Sequence, residues 1–317
     1  MVGFSIITPV LNMAGTIRDC IESVACQIDD VEAVQHIIVD GGSDDGTLDV
    51  ISDYPHIELI HEPAPGIYVA MNRGIAAARH EVVGIVNADD LLEIGALGVV
   101  SGVLEANPRV QIVAGLAVVE RLHDGDRKFV RIAPSRGHKS QSWDLLFHGS
   151  MPTNAYFFRL CVFKENGSFN VDFAVCSDRE LLIRFKLAGI LTLPVKRILY
   201  RYLAHEGSTT LNAERRHDVQ MCNERIAIAE SYLAKGQPSS SVVRRFREWI
   251  AAERARVMMA RSRAGEWRLA WQEAQMGLKA STQGFLVFLL RRAVAIPTAR
   301  ARRWPATLSC ACRKFFA

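Results

Sequence analysis

The 317-residue sequence predicts an α/β protein with a mostly parallel sheet, helices on both of its faces, and a helical C-terminal region. Three observations predict it. The strand-like runs of the first 90 residues are apolar and β-branched almost throughout, as in strands buried on both faces. They alternate with segments whose apolar residues recur at helical spacing, the mark of βαβ units. Beyond about residue 213 strand signals cease.

Taken in order, "FSIITPV" (4–10) reads as the first strand, and 14–28 as a helix with Ile17, Ile21, Val24 and Ile28 on one face. "VQHIIVD" (34–40) is the second strand. It is closed by a turn in which Gly41 and Gly42 are expected to supply positive φ, with a short helix from Thr47. A third strand spans 57–62, a helix 67–80, and a fourth strand 82–88; another helix is expected to begin near Glu93. From about 108 to 203 the pattern is mixed. "VQIVAGLAVVERL" and "KFVRIA" flank "HDGD" as a hairpin, and 197–204 is a last strand. Between them 176–189 reads as a helix, with Ser177 or Asp178 at its N-cap and Gly189 at its end. Segments 213–235, 239–263, 266–280 and 285–296 read as helices, so an α/β domain is expected over 1–210 and a basic helical region over 211–317.

With 49% hydrophobic residues, the chain can bury roughly two domains of about 150 residues each. No apolar run reaches the ~18–20 residues that span a bilayer, and "MVGFSIITPV" lacks the features of a secretory signal. The seven cysteines show neither zinc-site nor disulfide-framework spacing, which predicts reduced thiols and a cytoplasmic protein. The net charge of +4 conceals a division. Residues 1–210 hold 18 Lys/Arg against 26 Asp/Glu, and residues 211–317 hold 20 against 8, so the two parts are expected to meet different partners.

Ligands of parallel sheets bind beyond the carboxyl ends of the strands. Thr8 with Pro9, Asp40, Glu62, and Asp89 with Asp90 all fall there. The aspartates of "VVGIVNADD" admit two readings: an exposed turn that caps the next helix, or a divalent-metal site, since hard cations prefer carboxylate oxygens. A dinucleotide-binding fold is disfavoured because "TPVLNMAGT" has one glycine where G-x-G-x-x-G is needed. A phosphatase with a strand-end Asp-x-Asp is disfavoured because Gly41, Gly42 and Ser43 follow Asp40.

Over residues 3–210 the chain resembles the family 2 glycosyltransferases, inverting enzymes of the GT-A fold that use nucleotide-diphosphate sugars. The resemblance rests on "FSIITPVLN", "IIVDGGSDDGT", "PGIYVAMNRGIAAA", "VNADD" and "SDRELLIRF" in this order. It implies that Thr8, Pro9, Asp40 and Asn72 line the donor pocket, where a carboxylate can accept the imide N–H of uracil. It implies that Asp90 holds Mg²⁺ or Mn²⁺ beside the diphosphate, with Asp89 sharing the metal or contacting ribose; Asn87 stands where many relatives have the first aspartate. Asp178 matches the general base, with Glu180 as second choice, and Arg184 is expected to orient the helix or a phosphate. "MPTNAYFF" (151–158) aligns with a pocket-lining stretch of the family but reads more readily as a buried strand. His205 is a candidate phosphate or acceptor contact. Val69 and Ala64 replace aspartates common in relatives, so the sugar does not carry over, and the absent Gln-x-x-Arg-Trp motif points to single-sugar transfer.

Two alternatives stay open at this level: a nucleotidyltransferase, which would normally show a Gly-rich basic phosphate loop after the first strand, and a module that binds nucleotide sugars without turnover. Partners implied are a nucleotide sugar and a glycan or lipid-linked acceptor. From Ala274 onward there is no acidic residue against eight Lys/Arg. The segment 285–296, "FLVFLLRRAVAI", is expected either in the core of a helical bundle or, preferably, in the interface of an anionic membrane. Nucleic acid is not expected, because aromatics are not interleaved with the basic residues and the front domain is acidic.

Overall fold

The structure, a computed structural model, describes residues 2–27, 31–63, 66–123, 126–134, 142–149, 152–204, 219–236 and 239–294. The chain divides into two compact units, Met1–Arg216 and His217–Ala317.

In the first unit β1 (Gly3–Val10), β2 (Ala33–Asp40), β3 (Glu58–His61) and β4 (Val82–Ile85) run parallel in the order β3-β2-β1-β4. Parallel neighbours need crossovers, which α1 (Ile17–Ala25), α2 (Thr47–Ser52) and α3 (Ile67–Ala77) supply. The strand ends lie in register, Val10 opposite Asp40 and Asp40 opposite His61, so their polar groups share one edge. Past β4 the sheet becomes mixed. β8 (Tyr156–Arg159) is antiparallel to both β4 and β6 (Ile112–His123), and β7 (Asp126–Ala133) forms the expected hairpin with β6. β9 (Thr192–Ala204) runs parallel to β6. Their pairing is irregular around Gly115, where a Cβ would lie 2.4 Å from the Leu199 side chain.

Phe4, Ile6, Ile17, Ile21 and Phe157 lie in the core between sheet and helices, with the Phe4 and Phe157 rings edge to face at 6.3 Å. A second aromatic group, Phe158, Phe163, Phe169 and Phe185, ties β8 to α6 (Leu160–Asn166) and α7 (Ser177–Leu187), which follow the short α5 (Trp143–His148) in the chain. That packing fixes where α7 begins.

Two expected boundaries move, and both matter for the site. No helix starts near Glu93. Leu91–Leu92 form a two-residue strand, β5, antiparallel to β9, and α4 (Ala96–Ala106) starts after Gly95, whose φ of 71° marks the N-cap. Neither Asp89 nor Asp90 therefore caps a helix. The N-cap of α7 is Cys176, not Ser177 or Asp178, which places the Asp178 carboxylate inside the first turn.

The second unit holds α8 (Val219–Ala234), α9 (Ser240–Arg263), α10 (Trp267–Ala280) and α11 (Thr282–Val294). Phe246 and Trp249 are fully buried, and Tyr232 stacks on Phe246 at 5.7 Å. The Glu253 carboxylate is buried with them, taking Trp249 Nε1–H at 3.0 Å and pairing with Arg256 and Arg225. Helix α11 covers most of the segment 285–296 and is two-faced: Phe285 is buried beside Ala251 and Ala255, while Leu286, Val287 and Leu290 are exposed. Among the described residues no helix is long and apolar enough to cross a membrane. Residues 295 and 296 and the basic residues from Arg300 onward lie outside the described residues.

Candidate functional site

The β2 edge is built around Asp40. Its carboxylate is fully buried and takes N–H bonds from Gly42 (3.0 Å to Oδ2) and Ser43 (3.1 Å to Oδ1), while His61 Nδ1 lies 2.9 Å from Oδ2. Burial alone would push this carboxyl up; the bonds from Ser43, Gly42 and His61 outweigh it and hold the group below its ordinary value. Of the two glycines expected at positive φ, only Gly42 (101°) adopts it. The loop after β1 is laced to this turn: Asn12 N–H donates to Ser43 Oγ, Asp44 N–H to Asn12 Oδ1, and Met13 N–H to Thr47 Oγ1. A wall of preset backbone results. Thr8 and Pro9 lie beneath it with buried side chains, and the Thr8 hydroxyl sits 2.9 Å from His36 Nε2. Neither offers a side chain to a donor. His61 is exposed and seated on Asp40, at the strand end where the sequence pattern singles out Glu62 instead.

At the end of β4 the two aspartates divide. Asp89 is half-buried. Asp90 is buried, its Oδ1 accepting Leu203 N–H at 2.9 Å and its Oδ2 accepting Tyr200 O–H at 2.8 Å and Asn87 Nδ2–H at 3.2 Å. Burial, and after it the neighbouring Asp89 charge, push the Asp90 carboxyl up to about 8 against the pull of those three donors. Asn87 Oδ1 is buried with no hydrogen-bond partner. The Cys20 thiol closes the floor, bonded to Asn87 O at 3.4 Å, and burial pushes it up to about 12.

Asp178 is half-buried in the first turn of α7, and Thr153 Oγ1–H donates to its Oδ2 at 3.1 Å. Thr153 and Asn154 belong to the 3-10 turn Thr153–Ala155, and Asn154 Nδ2–H reaches Tyr200 Oη at 3.0 Å. "MPTNAYFF" is thus a buried strand only from Tyr156, and the turn before it carries polar contacts that composition did not reveal. Tyr202 joins the two halves. Burial first, then the charges of Asp90, Asp178 and Asp89, push its phenol well above the ordinary value, so all three carboxylates act electrostatically on one β9 side chain.

Three expected site residues make bonds that hold neighbouring segments in place. Arg184 pairs with buried Glu180 at 2.8 Å and binds the carbonyls of Asn166, Gly167 (2.7 Å) and Ser168 (2.7 Å), bonds that hold α7 and the α6–α7 loop, in keeping with the first of the two roles expected of it, orienting the helix. Glu180, the second choice for the base, is buried and held by that pair. Asn72 bonds both backbone groups of Phe169, at 2.8 and 2.9 Å, which ties α3 to the segment leading into α7. Tyr68 reinforces this tie, stacking on Phe169 at 5.3 Å and donating to Val175 O. His205 and Ala64 lie outside the described residues; Val69 is half-buried in α3.

Residues 5–163 match the description Glycosyl transferase family 2. The chain is 31% identical over 195 residues to the PGL/p-HBAD biosynthesis glycosyltransferase of Mycobacterium tuberculosis (strain ATCC 25177 / H37Ra), covering 57% of this chain and 68% of that protein. It is 37% identical over 90 residues to the uncharacterized glycosyltransferase YibD of Escherichia coli (strain K12), spanning 27% of this chain and only 26% of YibD. In fold it is similar to S. aureus TarS 1-349 in complex with UDP-GlcNAc (TM-score 0.61, 15% identity, 89% of this chain and 80% of that one). It is also similar to the mannosyltransferase PcManGT from Pyrobaculum calidifontis in complex with GDP-Man and Mn²⁺ (TM-score 0.53, 16% identity, 99% and 80%). These neighbours establish the GT-A-like architecture of the mixed sheet.

Proposed function

The chain belongs to glycosyl transferase family 2 and is a glycosyltransferase, and from that premise we propose that it transfers one sugar, with inversion, from a UDP-linked donor to a hydroxyl of a glycan or lipid-linked glycan. The observation that supports this reading is the hydrogen-bonded link between half-buried Asp178, which Thr153 bonds, and the Asp89–Asp90 pair, which the adjacent Asn154 reaches through Tyr200 and Asp90. Asp178 takes the acceptor hydroxyl proton as that oxygen attacks the anomeric carbon, and the bond from that carbon to the diphosphate oxygen breaks with its electron pair leaving on the nucleoside diphosphate. Asp40 is assigned to the nucleobase, its carboxylate able to accept an imide N–H beside the bonds from Ser43 and Gly42, with exposed His61 seated on it. TarS in complex with UDP-GlcNAc supports the choice of uridine nucleotide.

Mg²⁺ or Mn²⁺ fits the donor set. Among the described residues no cluster of three or more His, Cys, Asp or Glu could enclose a metal, yet Asp89, Asp90 and the unpartnered Asn87 Oδ1 are hard oxygens on one short loop. Such ions are commonly held by one or two carboxylates together with substrate phosphates. Asp89 and Asp90 would hold the ion, which when bound offsets the charge gathering on the leaving diphosphate.

We assign catalysis to residues 1–210 and surface attachment to the basic helices of 211–317. Exposed Trp267, Trp271, Leu286, Val287 and Leu290, with Arg291 and Arg292 nearby in sequence, support an interfacial seat of α11 on an anionic, cytoplasmic-facing membrane. The test of function is a panel of nucleotide sugars assayed for Mn²⁺-dependent nucleoside diphosphate release. Asp178→Asn should retain UDP binding and lose transfer; full transfer by that variant overturns the reading.

A further inference from the structure

The turn Thr153–Ala155 touches both halves of the site. Thr153 and Asn154 are buried, adjacent, and point their polar groups to different partners: Thr153 Oγ1 to Asp178, and Asn154 Nδ2 to Tyr200 Oη. Tyr200 is fully buried, and its hydroxyl is saturated. It has one proton, which goes to Asp90 Oδ2 at 2.8 Å, and two lone pairs, which take Asn154 Nδ2–H at 3.0 Å and the backbone N–H of Asn87 at 3.1 Å. Asp90 in turn holds Leu203 N–H, closing the loop onto β9. A continuous hydrogen-bonded path therefore runs from the α7 carboxylate, through two consecutive residues of one tight turn, to the loop that carries Asp89.

We propose that Thr153 and Asn154 are positioning residues for sugar transfer, a bracket that sets the Asp178 carboxylate with one side chain and the Asn87–Asp90 loop, through Tyr200, with the next. The two ends of the reaction need this. The base must meet the acceptor hydroxyl on one side of the anomeric carbon while the diphosphate departs on the other, and a misplacement of about 1 Å can cost on the order of 100-fold in rate. A 3-10 turn is short and stiff, so it fixes the distance between its two side chains better than a longer loop would. The inference rests on the reading of Asp178 as the base.

The experiment measures transfer kinetics, with the donor that the nucleotide-sugar panel identifies, alongside calorimetric affinity for UDP with Mn²⁺. Thr153→Val keeps the shape and removes the hydroxyl; it should lower kcat about tenfold or more and leave UDP–Mn²⁺ affinity within about twofold, and Thr153→Ser should restore kcat. Tyr200→Phe strips the acceptor from Asn154 and Asn87, and should weaken UDP–Mn²⁺ binding about tenfold. If Tyr200→Phe does not fold, Asn154→Ala removes one arm alone and should move the same parameter. A normal kcat in folded Thr153→Val, or identical losses in both parameters for the Thr153 and Tyr200 variants, overturns the bracket. An active Asp178→Asn protein overturns the base assignment itself, whereas an inactive Asp178→Asn beside a fully active Thr153→Val removes only the bracket.

Discussion

Replacing Arg184 by methionine separates an anchoring arginine from a phosphate ligand. In the wild-type structure its guanidinium pairs with Glu180, whose side chain is 8% exposed, and bonds three successive carbonyls, Asn166 to Ser168. Methionine fills much of the volume but leaves a buried carboxylate and three carbonyls without their donor. Breaking a buried pair costs about 3–5 kcal/mol. The Arg184 side chain is itself 23% exposed, so water reaches part of the site and the lower end, about 3 kcal/mol, applies. At 1.4 kcal/mol per factor of ten this is roughly a hundredfold loss of local protection. Hydrogen exchange read by mass spectrometry over peptides of α6 and α7 reports this unit directly, without interference from the tryptophan-rich second unit. Exchange there should accelerate about a hundredfold while UDP–Mn²⁺ affinity holds, and Glu180→Gln added to Arg184→Met should recover part of the loss. Exchange within about threefold of the parent, together with weakened UDP–Mn²⁺ binding, would refute the argument and restore Arg184 as a donor contact.

The divided aspartates give a second contrast. Asp89→Ala should abolish Mn²⁺-dependent UDP binding with little change in melting, whereas Asp90→Ala should also destabilise by about 2–4 kcal/mol, because Tyr200 O–H and Leu203 N–H lose their acceptor; equal melting of the two variants refutes the division. Acid should loosen the second unit through Glu253. Burial alone would raise this group, but Arg256 and then Arg225 hold it below its ordinary 4.5, so its stabilisation is complete above about pH 4.5 and is lost as pH falls further through the lowered folded value. Helical circular dichroism during an acid titration should show that limb, and Glu253→Gln should flatten it; an unaltered limb places the acid sensitivity elsewhere. For the membrane, the full chain should float with anionic vesicles and not with neutral ones, and Leu286→Glu combined with Leu290→Glu should abolish flotation. Flotation unchanged by those substitutions would move the contact away from α11.

The parallel half of the sheet was legible because βαβ units write their own period. Each of β1, β2 and β4 holds consecutive apolar residues, and β1 is followed by a helix with a clear apolar stripe, Ile17, Ile21 and Val24. The antiparallel half was less legible for physical reasons. β5 is two residues long, too short to carry a period, and it exists because β9 pairs with it. That long-range pairing displaced the start of α4 from Glu93 to Ala96. The N-cap of α7 fell on Cys176, a residue with no capping side chain, because the aromatic packing of Phe158, Phe163 and Phe185 sets where α7 docks. Tertiary contacts overrode local cap preference there.

Motif letters name residue types, but burial decides what each does. In "SDRELLIRF" the two carboxylates two residues apart are equivalent on paper, and the fold gives them opposite fates. Glu180 points into the body of the unit and is neutralised by Arg184, while Asp178 stays half-open with a hydroxyl donor on one oxygen. In "VNADD" the same division falls between neighbours, Asp90 buried and bonded to β9 and Asp89 half-buried. Asn72 reads as a donor contact from its motif, yet its amide has exactly the complementarity of a peptide group and satisfies Phe169 on both sides. Each buried residue holds in place a segment that carries a half-buried carboxylate: Arg184 and Asn72 the approach to Asp178, Asp90 the loop of Asp89. A chain with Asp90 replaced and the half-buried Asp89 and Asp178 kept should still match the family and, in a calorimetric titration, bind UDP–Mn²⁺ weakly or not at all, because the motif's chemistry depends on the buried half that sets its geometry.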